Sequence, residues 1–248
     1  MSKVTRRIAL GLAGAGLLAR PIRARAATAI EVFSSPFPPL TIDDPARPGF
    51  VNAVTLDLLR LLGLQGSITV LPWAETQRRG REEVGKLLTP PVRTPAREPN
   101  YTWIVKVLDI TSSFAGRDAA LDLEAARGVA RLGVLRGSMH QAFLQQSGFG
   151  NLVEMGDLRE LMAGVLEGRL DAMLSNTEDV RAMARQAGRA AEVRLGPPLL
   201  QSPVFIASGR NTGALPVADM RSAFAALEQD GTIEAHYRAY YGDDARRG

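Results

Sequence analysis

The chain has 248 residues, of which 46% are apolar and 23% charged, so it can bury the core of one large α/β domain or of two lobes of roughly 100 residues each. This composition excludes a disordered, collagen-like or coiled-coil chain, and no apolar run reaches the ~20 residues of a membrane-spanning helix. Cysteine is absent, which excludes disulfides, thiolate catalysis and cysteine-ligated metal sites.

Most of the positive charge lies at the start of the chain. Residues 1–26 contain six basic side chains and no acidic one, so the formal net charge falls from +4 to −2 without them, with 24 basic against 26 acidic residues. A basic footprint for nucleic acid is therefore missing from the rest of the chain, and no nucleic-acid partner is expected.

The order of residue types in this first segment is typical of a secretion signal. A basic start is followed by a 12-residue apolar stretch at 8–19, a break at Arg20-Pro21, and small residues at Ala24 and Ala26. We therefore expect residues 1–26 to be cleaved and residues 27–248 to be exported to a bacterial periplasm or its equivalent. Thr5-Arg6-Arg7 also fits the twin-arginine route, and the choice between the two export routes stays open.

The apolar pattern predicts alternating strands and helices along the exported chain. Strands are expected at 30–33, 67–71, 101–108, 129–135, 170–174, 193–195 and 204–208, and helices at 53–62, 75–85, 141–146, 157–167 and 179–187, with two more in 216–241. Gly137-Ser138 is expected to form a turn and a helix N-cap. Strands separated by helices indicate parallel sheets covered by helices.

Five segments along the chain carry a resemblance to a known family. They are Leu71-Pro72-Trp73, then 93–98 with Tyr101-Thr102-Trp103, then 133–138, 166–172, and Asp230-Gly231-Thr232 with Tyr240. In order and spacing they resemble the polar amino-acid-type solute-binding proteins of ABC importers (bacterial extracellular solute-binding protein family 3).

The resemblance implies an α/β fold of the type II periplasmic-binding-protein class. Such a fold has two lobes, each a mostly parallel sheet flanked by helices, joined by two crossover hinge strands, with the ligand clamped between them. Mapped onto this chain, the first lobe comprises 27–112 plus 205–248, and the second comprises 113–204.

The resemblance gives Arg97 the role of binding a ligand carboxylate. A planar guanidinium donates two parallel hydrogen bonds to such a group. The alternative is a solvated arginine paired with Glu98, because 27 of the 30 basic residues are arginine. Arg93, four residues earlier, is a weaker candidate for the same role.

The turn at Gly137 and Ser138 leads into a helix beginning near Met139, where free backbone N–H groups and the helix dipole favour an anion. By resemblance, these three residues hold the other side of the same carboxylate. Many relatives carry a hydroxyl residue where Met139 stands, so only its N–H contributes a polar contact. The alternative is a capped helix start without a ligand.

Further candidates come from the same resemblance. Phe37 corresponds to an aromatic lid, and Trp73 follows a strand end near the same edge, so both are expected to line the cleft unless they are ordinary core residues. Thr89 aligns with a hydroxyl-bearing position. Asn176 stands where relatives that bind amino acids usually have an aspartate for the ligand ammonium, and Glu75 could replace that charge.

Together these features predict a monomeric periplasmic receptor that captures a small carboxylate-bearing solute and delivers it to the membrane permease of an ABC importer. No metal, cofactor or catalysis is expected. Two alternatives stay open. One is a dehydratase-like enzyme on the same fold, with His140 and either Glu75 or Glu178 as general acid and base. The other is a stand-alone sensor that signals through a membrane kinase.

Overall fold

The structure, a computed structural model, describes residues 29–242. The predicted signal segment 1–26 lies outside these residues, so its identification stays a prediction. Within the described residues, no helix is both long and apolar enough to cross a membrane.

Strands and α-helices alternate along residues 29–242, as the apolar pattern predicts. The strands are β1 (Ile30–Ser34), β2 (Gly66–Val70), β3 (Leu87–Thr89), β4 (Tyr101–Gly116), β5 (Leu132–Leu135), β6 (Leu152–Met155), β7 (Ala172–Asn176), β8 (Arg194–Leu195) and β9 (Leu200–Gly209). The helices are α1 (Phe50–Leu61), α2 (Trp73–Glu82), α3 (Leu123–Arg127), α4 (Met139–Gln146), α5 (Leu158–Leu166), α6 (Thr177–Gln186), α7 (Val217–Gln229) and α8 (Thr232–Tyr241).

The strands form one sheet in the order β2-β1-β3-β9-β4-β7-β5-β6, with β8 also pairing β4. In the first half of the sheet β1 lies parallel to β2 and β3, and in the second half β5 lies parallel to β6 and β7. The long strands β4 and β9 pair antiparallel with each other and join the two halves. This is the predicted two-lobed α/β architecture with two crossover strands.

Apolar side chains form a core on each side and continue between the sides. One cluster includes Phe50 of α1 and Met220 of α7, and another includes Leu132 of β5. A further cluster brings Trp73 of α2 together with Leu135 at the end of β5. The two halves therefore touch through apolar side chains at the ends of their strands.

The crossover strands are longer than the sequence predicts. Strand β4 was expected to end at 108 but extends to Gly116, and β9 begins at Leu200 rather than 204. The polar residues Ser112 and Ser113 are nearly fully buried, because β7 pairs alongside them in the sheet. The predicted lobe boundaries at 112/113 and 204/205 fall inside these two strands. The short elements α3 and β6 are not predicted from the apolar pattern.

Candidate functional site

A small cavity lies between the two halves of the sheet, and we call it the inner cavity. Its lining includes the predicted site residues Phe37, Trp73, Arg97, Ser138, Met139 and Asn176, together with His140 and Asp179. Its volume is about 50 Å³, which leaves room for only a few water molecules. Sites for small ligands usually measure ~300–1,000 Å³. The halves are therefore closed on each other at this cavity, and a solute of usual size fits there only if they move apart.

Arg97 reaches from the loop before β4 across this closed cleft. Its guanidinium lies 5.4 Å from the centre of the Trp73 ring and donates to the carbonyls of Val92 and Gly137, each at 3.2 Å. Arg97 takes part in none of the ion pairs among residues 29–242. Burial lowers its pKa from the usual range, and the charge of Arg81 acts in the same direction. Since burial disfavours the unpaired cation, an anionic ligand would stabilise it.

Arg93 occupies the surface ion pair that sequence reasoning offered as the alternative for Arg97. Its guanidinium donates to both carboxylate oxygens of Glu98, at 2.8 and 2.6 Å. Its guanidinium also lies over the rings of Trp103 and Phe205, at 5.7 and 5.5 Å from their centres, and Arg93 does not line the inner cavity. Glu98 is thus engaged by Arg93 and leaves Arg97 without a carboxylate partner.

The carbonyl of Gly137 joins the two halves through three hydrogen bonds. It accepts hydrogen bonds from the Trp73 indole at 3.3 Å, the Gln77 side-chain amide at 3.0 Å and the Arg97 guanidinium. Gly137 itself has a φ of 70°, in the left-handed region, which lets the chain turn sharply from β5 into α4. Three donors on one carbonyl hold the cleft closed at this point.

Helix α4 begins at the predicted N-cap. The Ser138 hydroxyl accepts from the Gln141 N–H at 3.1 Å, while the Ser138 N–H donates to the Leu135 carbonyl at 3.1 Å. The first N–H groups of a helix have no partner within the helix, and the dipole makes that end positive. The Met139 N–H therefore has the position and polarity to bind an anion, whereas its side chain packs against the core of the first half.

Asn176 and Asp179 form a buried polar pair at the start of α6. The side-chain oxygen Oδ1 of Asn176 accepts from the Glu178 N–H at 3.2 Å, and its side-chain Nδ2 donates to Asp179 Oδ1 at 2.9 Å. Both side chains are at most 3% exposed and line the inner cavity. Burial raises the pKa of Asp179 well above its usual range, against the opposing effect of the Asn176 hydrogen bond.

Asp179 is the site residue that sequence reasoning missed. The carboxylate that the resemblance implies at the position of Asn176 is absent there, but Asp179 supplies one three residues later, at the same cavity. The spacing of three residues on a helix was the available signal, since side chains at i and i+3 share a face.

His140 lies in the inner cavity but has no carboxylate partner there. Its Nε2 is 2.8 Å from the Ser112 hydroxyl, and burial, together with the charge of Arg97, lowers its pKa to about 4. Glu75 and Glu178 each pair with an arginine on their own helix. No group of three His, Asp or Glu side chains within residues 29–242 is arranged to hold a metal ion. The residues named for dehydratase chemistry are therefore not brought together.

The remaining two candidates differ in position. Phe37 lies edge-to-face against Trp73, with 5.3 Å between ring centres, and the two form an aromatic wall. Thr89 is fully buried, donates to Asn52 at 2.7 Å and does not line the inner cavity. Thr89 thus supports the neighbouring structure rather than facing the cleft.

The fold is similar to that of many solved binding proteins. A histidine kinase sensor domain with similarity to periplasmic binding proteins matches with a TM-score of 0.79 and 17% identity, over 87% of this chain and 96% of that one. A mutant of ArgBP from T. maritima matches with a TM-score of 0.77 and 15% identity, over 87% and 96%.

A periplasmic His/Glu/Gln/Arg/opine family-binding protein from Silicibacter pomeroyi, in complex with lysine, gives a TM-score of 0.74 and 17% identity, over 89% of this chain and all of that one. No protein-family model and no curated protein matches the sequence. The chain therefore has the periplasmic-binding-protein fold of these neighbours, as its sequence predicts.

Proposed function

We propose that this protein is a periplasmic solute-binding receptor. It captures a small carboxylate-bearing solute, an amino acid or a related compound, between two lobes and delivers it to an ABC permease without chemical change. Residues 1–26 direct export, the lobes comprise 27–112 plus 205–248 and 113–204, and the protein acts as a monomer. The observation that carries the proposal is Arg97, a cation without a carboxylate partner at the inner cavity.

Ligand binding changes the group that accepts hydrogen bonds from the Arg97 guanidinium. In the closed cleft Arg97 donates to the Gly137 carbonyl, a neutral group. A ligand carboxylate offers two charged oxygens in the plane of the guanidinium, and charge-assisted hydrogen bonds are roughly twice as strong as neutral ones. The Met139 N–H at the start of α4 supplies a donor from the opposite lobe. The carboxylate thus bridges the lobes in place of the direct contact.

The rest of the inner cavity sets which solutes fit. Asp179 and Asn176 present a carboxyl and an amide that can accept from an ammonium or another N–H group. Phe37 and Trp73 give an apolar wall. His140 has a pKa of about 4 and adds no positive charge near neutral pH. Positive charge for an anion therefore comes from Arg97 and the helix dipole.

Thermal unfolding of residues 27–248 with amino acids, dicarboxylates and aromatic acids tests the proposal. A ligand at about 1,000 times its dissociation constant stabilises by roughly 4 kcal/mol, which corresponds to a shift on the order of 10 °C for a chain of this size. Arg97→Ala should lose the shift, whereas Arg93→Ala, which removes a nearby exposed arginine, should keep it. A shift that survives Arg97→Ala would contradict this binding mode.

A sensor for a membrane kinase is the second candidate, favoured by the similarity to a histidine kinase sensor domain. The two functions differ in the cell. Loss of the gene should abolish uptake of the bound solute if the protein is a transport receptor. Unchanged uptake with a lost transcriptional response to the solute would favour the sensor, and conversion of the solute that is lost in His140→Ala would favour an enzyme.

A further inference from the structure

A second and larger cavity adjoins the inner one, and we call it the outer cavity. Its volume is about 490 Å³, within the ~300–1,000 Å³ of small-ligand sites. It lies between the loop after β1, the start of α2 and the segment 156–160 before and within α5. Phe37, Trp73, Leu135 and Leu158 line both cavities, so the two share one wall.

The shared wall is apolar and mostly buried. Trp73, Leu135 and Leu158 are each at most 5% exposed, and Phe37 packs against Trp73 from the side. Ser35, a polar residue in the lining, donates its hydroxyl hydrogen bond to the Leu71 carbonyl at 2.7 Å. The interior of the outer cavity therefore suits apolar surface more than a polar side chain.

Charged groups of the outer cavity stand on its exposed rim, and their balance is acidic. Asp43, Asp157 and Glu160 carry negative charge and Arg159 carries positive charge. Asp157 caps α5 by accepting from the Glu160 N–H at 2.8 Å. Among the described residues, none of these four side chains takes part in an ion pair. The rim disfavours a second carboxylate on a solute.

We infer that the solute carries an apolar body at least as large as a phenyl ring, which lies in the outer cavity while its carboxylate is held by Arg97 at the inner cavity. This inference rests on the proposed function and names its substrate class. The body follows the Phe37–Trp73 wall that the cavities share, and its far end is neutral or cationic because of the acidic rim.

The test uses two pairs of probes that differ only by a phenyl group, propionate with 3-phenylpropionate and alanine with phenylalanine. The pairs have different head groups, so the test does not depend on whether an ammonium is needed. Titration calorimetry on residues 27–248 should show tighter binding of the phenyl-bearing member of at least one pair. The expected gain is roughly 10- to 100-fold, from the burial of one aromatic side chain.

A variant that fills the outer cavity tests whether the phenyl group binds there. A Cβ added at Gly156, which lines the outer cavity, meets no atom within 4 Å. Gly156→Trp should therefore fill the outer cavity at little folding cost and remove the gain from the phenyl group. Gly150→Trp is the matched control, because a Cβ there also meets no atom within 4 Å and the residue lies outside the cavity. Glutarate should bind more weakly than the phenyl-bearing acids.

The outcomes separate this inference from the proposed function. Equal binding of both members of each pair, or a phenyl gain that survives Gly156→Trp, would overturn the outer-cavity assignment while leaving the receptor standing. Failure of all four probes to bind would also overturn the inference. Binding that is indifferent to Arg97→Ala would instead contradict the proposed function.

Discussion

Burial of a neutral histidine should make the stability of this protein depend on pH in a defined direction. His140 is 8% exposed, and burial and the charge of Arg97 lower its pKa to about 4, against about 6.5 for an unperturbed histidine. Below pH 6.5 the His140 side chain binds a proton in the unfolded chain but stays neutral in the folded one. Stability is therefore full above pH 6.5 and falls as the pH drops towards 4.

The size of the effect follows from the two pKa values. At pH 5 the unfolded histidine is almost fully protonated and the folded one is mostly neutral, so this group costs about 2 kcal/mol relative to pH 7. Asp179 works in the opposite sense. Burial raises its pKa, so its folded form takes up a proton more readily, and stability from this group is lost as pH rises through the folded pKa.

A variant isolates the histidine from these other groups. His140→Gln removes the titration, while the amide can still bond to the Ser112 hydroxyl. Urea unfolding of residues 27–248 at pH 7 and pH 5 should show that the wild type loses about 2 kcal/mol more than the variant between these pH values. A packing defect in the variant would lower the free energy of unfolding equally at both pH values. Parallel pH dependence in the two proteins would refute the assignment of a buried neutral His140.

Three further changes have expected outcomes. Gly137→Ala should destabilise the fold by about 1–2 kcal/mol in urea unfolding, because its φ of 70° is unfavourable for alanine. Gly148→Ala, at a φ of 76°, should cost a similar amount of stability but leave solute affinity unchanged. Only Gly137→Ala should therefore weaken solute binding, and equal losses of affinity in the two variants would contradict this. Asp179→Asn should raise the melting temperature at pH 8 more than at pH 4, since burial disfavours the ionised carboxylate; the opposite trend would contradict the raised pKa. Trp73→Ala should cost about 3–5 kcal/mol in urea unfolding, whereas Leu61→Ala, at a site 54% exposed, should cost far less; similar losses would refute the core position of Trp73.

Local signals in the sequence were sufficient for much of the fold. Ser138 caps α4 because its hydroxyl can reach the N–H three residues on, which depends on neighbours in the chain alone. The apolar spacing of α5 likewise predicted its buried face. The second half of β4 was missed because the predicted strand ended at 108, before the polar residues Ser112 and Ser113. Their burial depends on β7, which lies some 60 residues later in the chain.

In the candidate site, too, some residues could be predicted from the sequence and others only from the structure. Arg97 was found through a resemblance, and its lack of a partner became visible only when Arg93 was seen to hold Glu98. Asp179 was predicted only as the first residue of a helix, and its burial depends on the packing of that helix. The outer cavity has no local signal, since its walls come from segments up to about 120 residues apart in the chain.

A crystal structure of residues 27–248 with a bound carboxylate would test the binding mode most directly. The carboxylate should accept two hydrogen bonds from the Arg97 guanidinium and one from the Met139 N–H, with the direct contact between Arg97 and the Gly137 carbonyl broken. A ligand bound elsewhere, with that contact intact at about its present 3.2 Å, would contradict the role of Arg97 as the carboxylate anchor.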